Sequence, residues 1–339
     1  MKYLTFVFLT ILAWGSYGPV MHEGQHALGH GGHPALWTPL LLMGTGWSLV
    51  AVLWPLVMMH REGPGGWSRS GMAWSFLAGV LGATGSVGTV LAFARGGAPL
   101  FVMPLIFGLA PVINTVVTAL MTGTLRRASI LFYLGVLVVA IGAAGVMFFN
   151  PDSPPASETT ASRGDGFRWL IGSVAVTAVC WGSYGPVLHR GQVAMGNRRL
   201  RAWMFTGLAY LALVVILPLA CWPWLATDPG TLNSTGIVWS LLAGACGAMG
   251  ALGVIQAFAA GGRPVTVMPL VFGGAPVLNT LITTITHETL GQLPIPFYAS
   301  LFLVIAGAIT VLRFAPGETR PPVIRPEAGT RPRHEESDD

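Results

Sequence analysis

One block of this sequence occurs twice. WSFLAGVLGATGSVGTVLAFARGGAPLFVMPLIFGLAPVINT (74–115) is matched without a gap, 165 positions later, by WSLLAGACGAMGALGVIQAFAAGGRPVTVMPLVFGGAPVLNT (239–280). A shorter motif, WGSYGPV, stands at Trp14–Val20 and again at Trp181–Val187, 167 positions apart. Near-equal offsets over so long a reach mark duplication of one unit rather than shared bias in composition. Such a chain folds as two copies of one arrangement.

Of the 339 residues, 53% are hydrophobic and 9% are charged. Soluble domains carry about 25% charged residues, so this chain cannot cover a water-facing surface. Apolar runs of about 20 residues recur, each long enough to cross a bilayer core of about 30 Å. Spans are expected near 3–21, 36–59, 72–94, 99–121 and 128–149, then 168–188, 203–225, 236–259, 265–286 and 296–314. The first follows Met1–Lys2 like a signal peptide, but no small-x-small cleavage site follows it, and it matches 168–188, so a retained helix is expected. The expected fold is an all-α polytopic membrane protein, with ten transmembrane helices as two inverted-topology five-helix repeats. The first repeat is 1–149 and the second 168–314, joined by a Pro/Ser/Thr-rich linker at 150–167 and followed by a disordered tail at 315–339.

Inversion follows from parity, because five spans per copy bring the second copy into the membrane upside down. With the N-terminus inside, the inner segments hold 15 of the 18 Lys and Arg, leaving Arg95, Arg163 and Arg168 outside. Cytoplasmic loops carry such an excess. Equivalent loops then differ in charge: MHEGQHALGHGGHPA (21–35) has no Lys or Arg, and LHRGQVAMGNRRLRA (188–202) has four. Many secondary transporters are built this way. Both termini are then cytoplasmic, at a bacterial inner membrane. The net charge of +5 sits in loops and tail as a topology signal, so no nucleic-acid partner is expected. Cys180, Cys221 and Cys246 fall inside spans without metal-ligand spacing and read as packing residues.

Several groups of residues are candidates for chemistry. Pro104, Gly108, Pro111, Thr115 and Thr118 share one helical face, and Pro269, Gly273, Pro276, Thr280 and Thr283 repeat it. Each proline removes a backbone donor, which a membrane tolerates only beside protein or a wet cavity. These helices either line a pathway, with the prolines as gates and Asn114 and Asn279 offering amides to a ligand, or are kinked packing helices. In the opening motif, Trp14, Ser16 and Tyr17, with Trp181, Ser183 and Tyr184, offer rings and hydroxyls suited to a sugar or base, or form an interfacial aromatic belt. The glycines of spans three and eight, among them Gly82, Gly85, Gly247 and Gly250, read as close helix packing. His22, His26, His30 and His33 are spaced for one face of a helix, beside Glu23. Gly24, Gly29, Gly31, Gly32 and Pro34 argue against that helix, leaving a weak metal candidate or an external loop.

Absences narrow the field further. No Asp, Glu or Lys lies within any expected span, and the core amides are Asn114, Gln256 and Asn279. Ion-coupled pumps show intramembrane carboxylates, and this chain shows none. Nor is there a phosphate loop, a nucleophile elbow or a zinc-protease motif, so neither enzymatic activity nor a cofactor is expected.

The WGS entry of each first helix (Trp14–Ser16, Trp181–Ser183), the sequences VMPLIFG (102–108) and VMPLVFG (267–273), and the ending HETLGQLPIPFYASLFLVIAGAITVL (287–312) carry a resemblance. The chain resembles the drug/metabolite transporter superfamily (EamA-like), nearest to its bacterial glucose/ribose-porter sugar-uptake group. The resemblance covers nearly all of 1–314. It implies a central cavity between the halves, lined by Trp14, Ser16, Tyr17, Asn114, Thr118, Trp181, Ser183, Tyr184, Gln256, Asn279 and Thr283. The expected function is alternating-access transport of a small, polar, neutral, sugar-like metabolite, with the bilayer as surroundings and room for a homodimer. The alternative is a divalent-metal carrier or sensor using the His-rich loop.

Overall fold

In the computed structural model, the described residues are 2–31, 33–123, 129–149, 164–221, 231–288 and 293–314. Residues 150–163 of the expected linker and the tail 315–339 lie outside them. All regular structure among the described residues is helical, in chain order α1 (Tyr3–Leu28), α2 (Trp37–Glu62), α3 (Arg69–Ala94), α4 (Pro99–Met121), α5 (Ile130–Phe149), α6 (Gly164–Ala194), α7 (Arg199–Ala220), α8 (Ser234–Ala259), α9 (Pro264–Thr286) and α10 (Ile295–Arg313).

Seven of these, α1–α4 and α6–α8, are long and apolar enough to cross a bilayer. The remaining three carry shorter apolar stretches, Ile130–Val146, Leu270–Thr286 and Ile295–Val311. Large apolar side chains such as Phe8, Val57, Ile130 and Phe302 are exposed around the bundle. In water, patches of that kind would drive aggregation; facing acyl chains they need no cover. The protein is an α-helical integral membrane protein.

Small residues decide which helices touch. A Cβ on Gly236 would meet Leu28, one on Gly24 would meet Ser240, and one on Gly253 would meet Thr10, so α1 lies antiparallel in a groove of α8. The same contact is made by α6 against α3, through Gly71 with Met195, Gly191 with Ser75, and Gly88 with Thr177. Close approach between glycine-lined faces gains dispersion contacts that lipid cannot supply. Equivalent helices also meet one another. Gly44 of α2 abuts Val214 of α7, and Gly207 of α7 abuts Val52 of α2. The pair α5 and α10 interlocks through Gly135, Gly142 and Gly307.

Two helices are longer than the sequence predicts. α1 continues past position 21 to Leu28, and α6 begins at Gly164 and runs past 188 to Ala194. Glycine is a poor helix former in isolation, but Gly24 and Gly191 are where the neighbouring helix presses, so tertiary packing overrides propensity. Pro19 and Pro186 sit inside these helices without breaking them. α7 begins at Arg199, four residues before its expected start, because Glu62 Oε1 accepts from the Leu200 backbone N–H at 2.9 Å and so caps it.

α2 and α7 share a further irregularity. Each contains a wide π turn, Leu49–Leu53 in α2 and Leu211–Ile216 in α7, followed by a proline (Pro55, Pro218). The missing N–H of each proline removes a donor from the turn before it, and the backbone widens there.

Candidate functional site

The site is built by α1 and α6, whose WGSYGPV motifs lie inside the helices and meet through their aromatic rings. Trp14 Nε1 donates to the Gly247 carbonyl at 3.1 Å, and Thr10 Oγ1 to the Gly250 carbonyl at 3.2 Å. The other copy matches this: Trp181 Nε1 donates to Gly82 O at 3.2 Å and Thr177 Oγ1 to Gly85 O at 3.0 Å. A Cβ at Gly250 would collide with the Trp14 indole, and one at Gly85 with that of Trp181. Glycine there lets each indole lie flat against the facing helix. The indole N–H is used up on a backbone carbonyl, and the ring remains as wall.

Those walls line a cavity whose empty space, its open mouth included, is about 490 Å³. Its lining consists of six pairs of equivalent positions, one from each copy. Trp14 contacts Tyr184 edge-on, with centroids 6.1 Å apart, and Tyr17 contacts Trp181 likewise at 5.7 Å. Edge-to-face packing is the favoured arrangement of aromatic quadrupoles. Phe107 of α4 and Phe272 of α9 approach to 6.3 Å and close one side. Trp47, two residues before the wide turn of α2, and Tyr210, directly before that of α7, stack at 4.0 Å with planes 5° apart. The remaining pairs are Gly82 with Gly247, and Ser86 with Ala251.

Polar atoms in this space are few. Ser86 Oγ and Tyr210 Oη share a hydrogen bond of 3.0 Å. Tyr17 Oη lies near Ser86 but forms no hydrogen bond of acceptable geometry, and Tyr184 Oη also has none. Among the described residues, no ionisable side chain other than these phenols lines the cavity. The arrangement can hold a ligand by ring contact and a few hydroxyls.

The residues singled out in the sequence fall into two groups. Trp14, Tyr17, Trp181 and Tyr184 come together as cavity walls. The others are not in the lining. Ser16 Oγ and Ser183 Oγ turn back to their own helices, donating to Leu12 O and Val179 O at 2.8 Å. Asn279 is fully buried and its amide donates to Pro99 O at 3.0 Å, tying α9 to the start of α4. Its Oδ1 lies against Gly18, as Asn114 Oδ1 lies against Gly185, so both amides fill helix crossings. α4 and α9 run antiparallel, since Phe107 meets Phe272 while Asn279 meets Pro99. Thr118 and Thr283 therefore lie towards opposite ends of the bundle. Gln256 Oε1 accepts from Arg199 at 2.8 Å, at an exposed helix end.

The proline–glycine faces also differ from the expectation of a pathway lining. Pro104 and Pro111 lie inside continuous α4, as Pro269 and Pro276 lie inside α9. Gly108 packs on Val304 and Gly273 on Ile305, so this face turns towards α10, and Phe107 and Phe272 supply the cavity wall instead.

The histidines do not assemble. His22 and His26 lie on α1, with ring centroids 4.3 Å apart, and the helix ends at Leu28. His30 and His33 pair through their backbones in the turn beyond. Glu23, also inside α1, faces His287 at 3.7 Å. Among the described residues no three His, Cys, Asp or Glu side chains group as metal ligands.

Sequence reasoning missed Trp47, Ser86, Phe107, Tyr210 and Phe272, and gave Gly82 and Gly247 to packing alone. The two phenylalanines were within reach, since both stand in the repeated VMPL(I/V)FG segments. Trp47 and Tyr210 become equivalent only once Gly44 is aligned with Gly207 and Pro55 with Pro218, a register the unlike residues between them conceal.

No protein-family model matches the chain, and no curated protein is significantly similar to it. Among solved structures, a crystal structure of a protein is similar over 93% of this chain and 97% of its own length, with a TM-score of 0.58 and 18% identity. At that identity the likeness shows a shared fold and carries nothing about activity.

Proposed function

We propose that the protein is a secondary transporter or facilitator that moves a small uncharged metabolite across a membrane by alternating access. It is read as a ten-helix member of the drug/metabolite transporter superfamily, built from two inverted five-helix repeats, in a bacterial inner membrane with both termini cytoplasmic. The observation that carries this is the cavity itself: every lining position from one copy has its equivalent from the other. A central site shared by two related bundles is where inverted-repeat transporters bind their cargo. The antiparallel meetings of α1 with α8 and α6 with α3 support the inversion. With no carboxylate at the site, coupling to a proton or sodium ion has no visible seat, which favours facilitated movement of a neutral solute.

Two measurements test this. Single cysteines at Gly31 and Gly196, labelled from outside intact cells, are expected to react oppositely, only Gly31→Cys taking the label. Labelling of both from one side would end the inverted reading. Purified protein in proteoliposomes is expected to equilibrate a neutral solute from a panel of sugars, alcohols and amides, and Trp14→Ala with Trp181→Ala is expected to abolish that flux. Flux unchanged in the double variant would exclude this cavity as the route.

A further inference from the structure

The twelve lining positions form six pairs, and four of the pairs are identical in type: Trp with Trp, Tyr with Tyr, Gly with Gly, Phe with Phe. Only two break the symmetry, Ser86 with Ala251 and Tyr210 with Trp47. In both, the residue able to offer a hydroxyl stands on the same side, and those two hydroxyls are bonded to each other at 3.0 Å. Tyr17, whose hydroxyl is otherwise unpaired, lies near the same serine. At the equivalent positions stand Tyr184, Ala251 and Trp47, of which only Tyr184 carries a hydroxyl. Three hydroxyls therefore gather about Ser86, with the unpaired hydroxyl of Tyr184 close to Tyr210, while the rest of the wall is ring and methyl.

We infer that the cavity takes a small amphiphile with one neutral hydrogen-bonding group, received by Tyr17, Ser86 and Tyr210, and an apolar, preferably aromatic body lodged between Trp14, Trp181, Phe107 and Phe272. This rests on the proposed reading of the cavity as a substrate site and narrows the solute. A polar group taken from water and given no new partner weakens binding. A hexose brings five or more such groups to a wall whose hydroxyls gather about Ser86, so most would go unpaired. A single hydroxyl or amide is fully served, and the aromatic faces gain from the body. The broken symmetry also fixes direction, because only one end of the ligand has a reason to face Ser86.

The test uses full-length protein in detergent and reads the melting point against ligand concentration. The probes are 2-phenylethanol, ethylbenzene, glucose and phenyltrimethylammonium. Stabilisation is expected with 2-phenylethanol at concentrations where glucose and phenyltrimethylammonium give none, with ethylbenzene weaker. Ser86→Ala, which copies the natural residue at 251, is expected to weaken 2-phenylethanol about tenfold without lowering the unliganded melting point by more than a few degrees. Tyr210→Phe should act alike, and Ala251→Ser should not weaken it. Tighter binding of glucose or of the cation, or equal response of Ser86→Ala and wild type, overturns the inference, as does no stabilisation by 2-phenylethanol. Because the assay needs no flux, binding without transport would sink the transporter reading and leave this one standing. Glucose flux through a cavity that ignores 2-phenylethanol would do the reverse.

Discussion

Trp47 and Tyr210 lie face to face at the centre of the bundle, ring centroids 4.0 Å apart and planes within 5° of parallel. They come from equivalent positions in the two copies and form a direct side-chain link between α2 and α7. Trp47→Ala is expected to cost about 3–5 kcal/mol of stability, from lost burial and the cavity it leaves. Tyr210→Phe keeps the stack and should cost about 1 kcal/mol, through the stranded Ser86 hydroxyl. Thermal unfolding of the two variants in the same detergent separates these outcomes.

Trp14 and Trp181 donate to carbonyls of the glycine helices that receive them. Trp14→Phe and Trp181→Phe are each expected to lower stability by about 1–2 kcal/mol, nearly equally, since their surroundings match. Unequal losses in a melting comparison would contradict equivalence of the two crossings.

Gly85 and Gly250 accept the indoles of Trp181 and Trp14 with no room for a methyl group. Gly85→Ala or Gly250→Ala should push an indole into the cavity or part the helices, at about 1–3 kcal/mol. Reduced binding of any cavity ligand should accompany the drop in melting point, measured in one titration.

Asn279 joins α9 to Pro99 rather than facing the cavity. Asn279→Ala is expected to lower the melting point, with about 1–3 kcal/mol lost, while ligand affinity per folded molecule stays the same. An affinity change with unaltered stability would return this amide to the list of ligand contacts.

Among the described residues, the histidines of α1 and of the turn after it make no metal cluster. Replacing His22, His26, His30 and His33 by Gln should leave the melting point equally insensitive to EDTA and to added zinc. A zinc-induced rise in the wild type that the variant lacks would revive the metal reading.

Much of this architecture could be read from the chain alone, and the reasons are physical. Apolar length and missing charge are set by the bilayer, so α1 to α4 and α6 to α8 were visible as spans. Duplication preserved WGSYGPV, and from it Trp14, Tyr17, Trp181 and Tyr184 stand together as walls of the cavity. What stayed hidden was direction around each helix. Ser16 and Asn279 carry attractive chemistry but point into hydrogen bonds with backbone, which no periodicity reveals in helices apolar on every side. Ser86 was hidden for the opposite reason: a lone serine among glycines reads as packing until Tyr210 is seen beside it. The helix ends at Leu28 and Ala194 were likewise decided by the neighbour across the groove, not by local preference.

The dovetailing of α1 into α8, and of α6 into α3, means that neither copy owns its tightest seam. Each lends its first helix to the other's third. Cut between 149 and 164, the two fragments should therefore survive only when made together in one cell, and each made alone should fall to quality-control proteases.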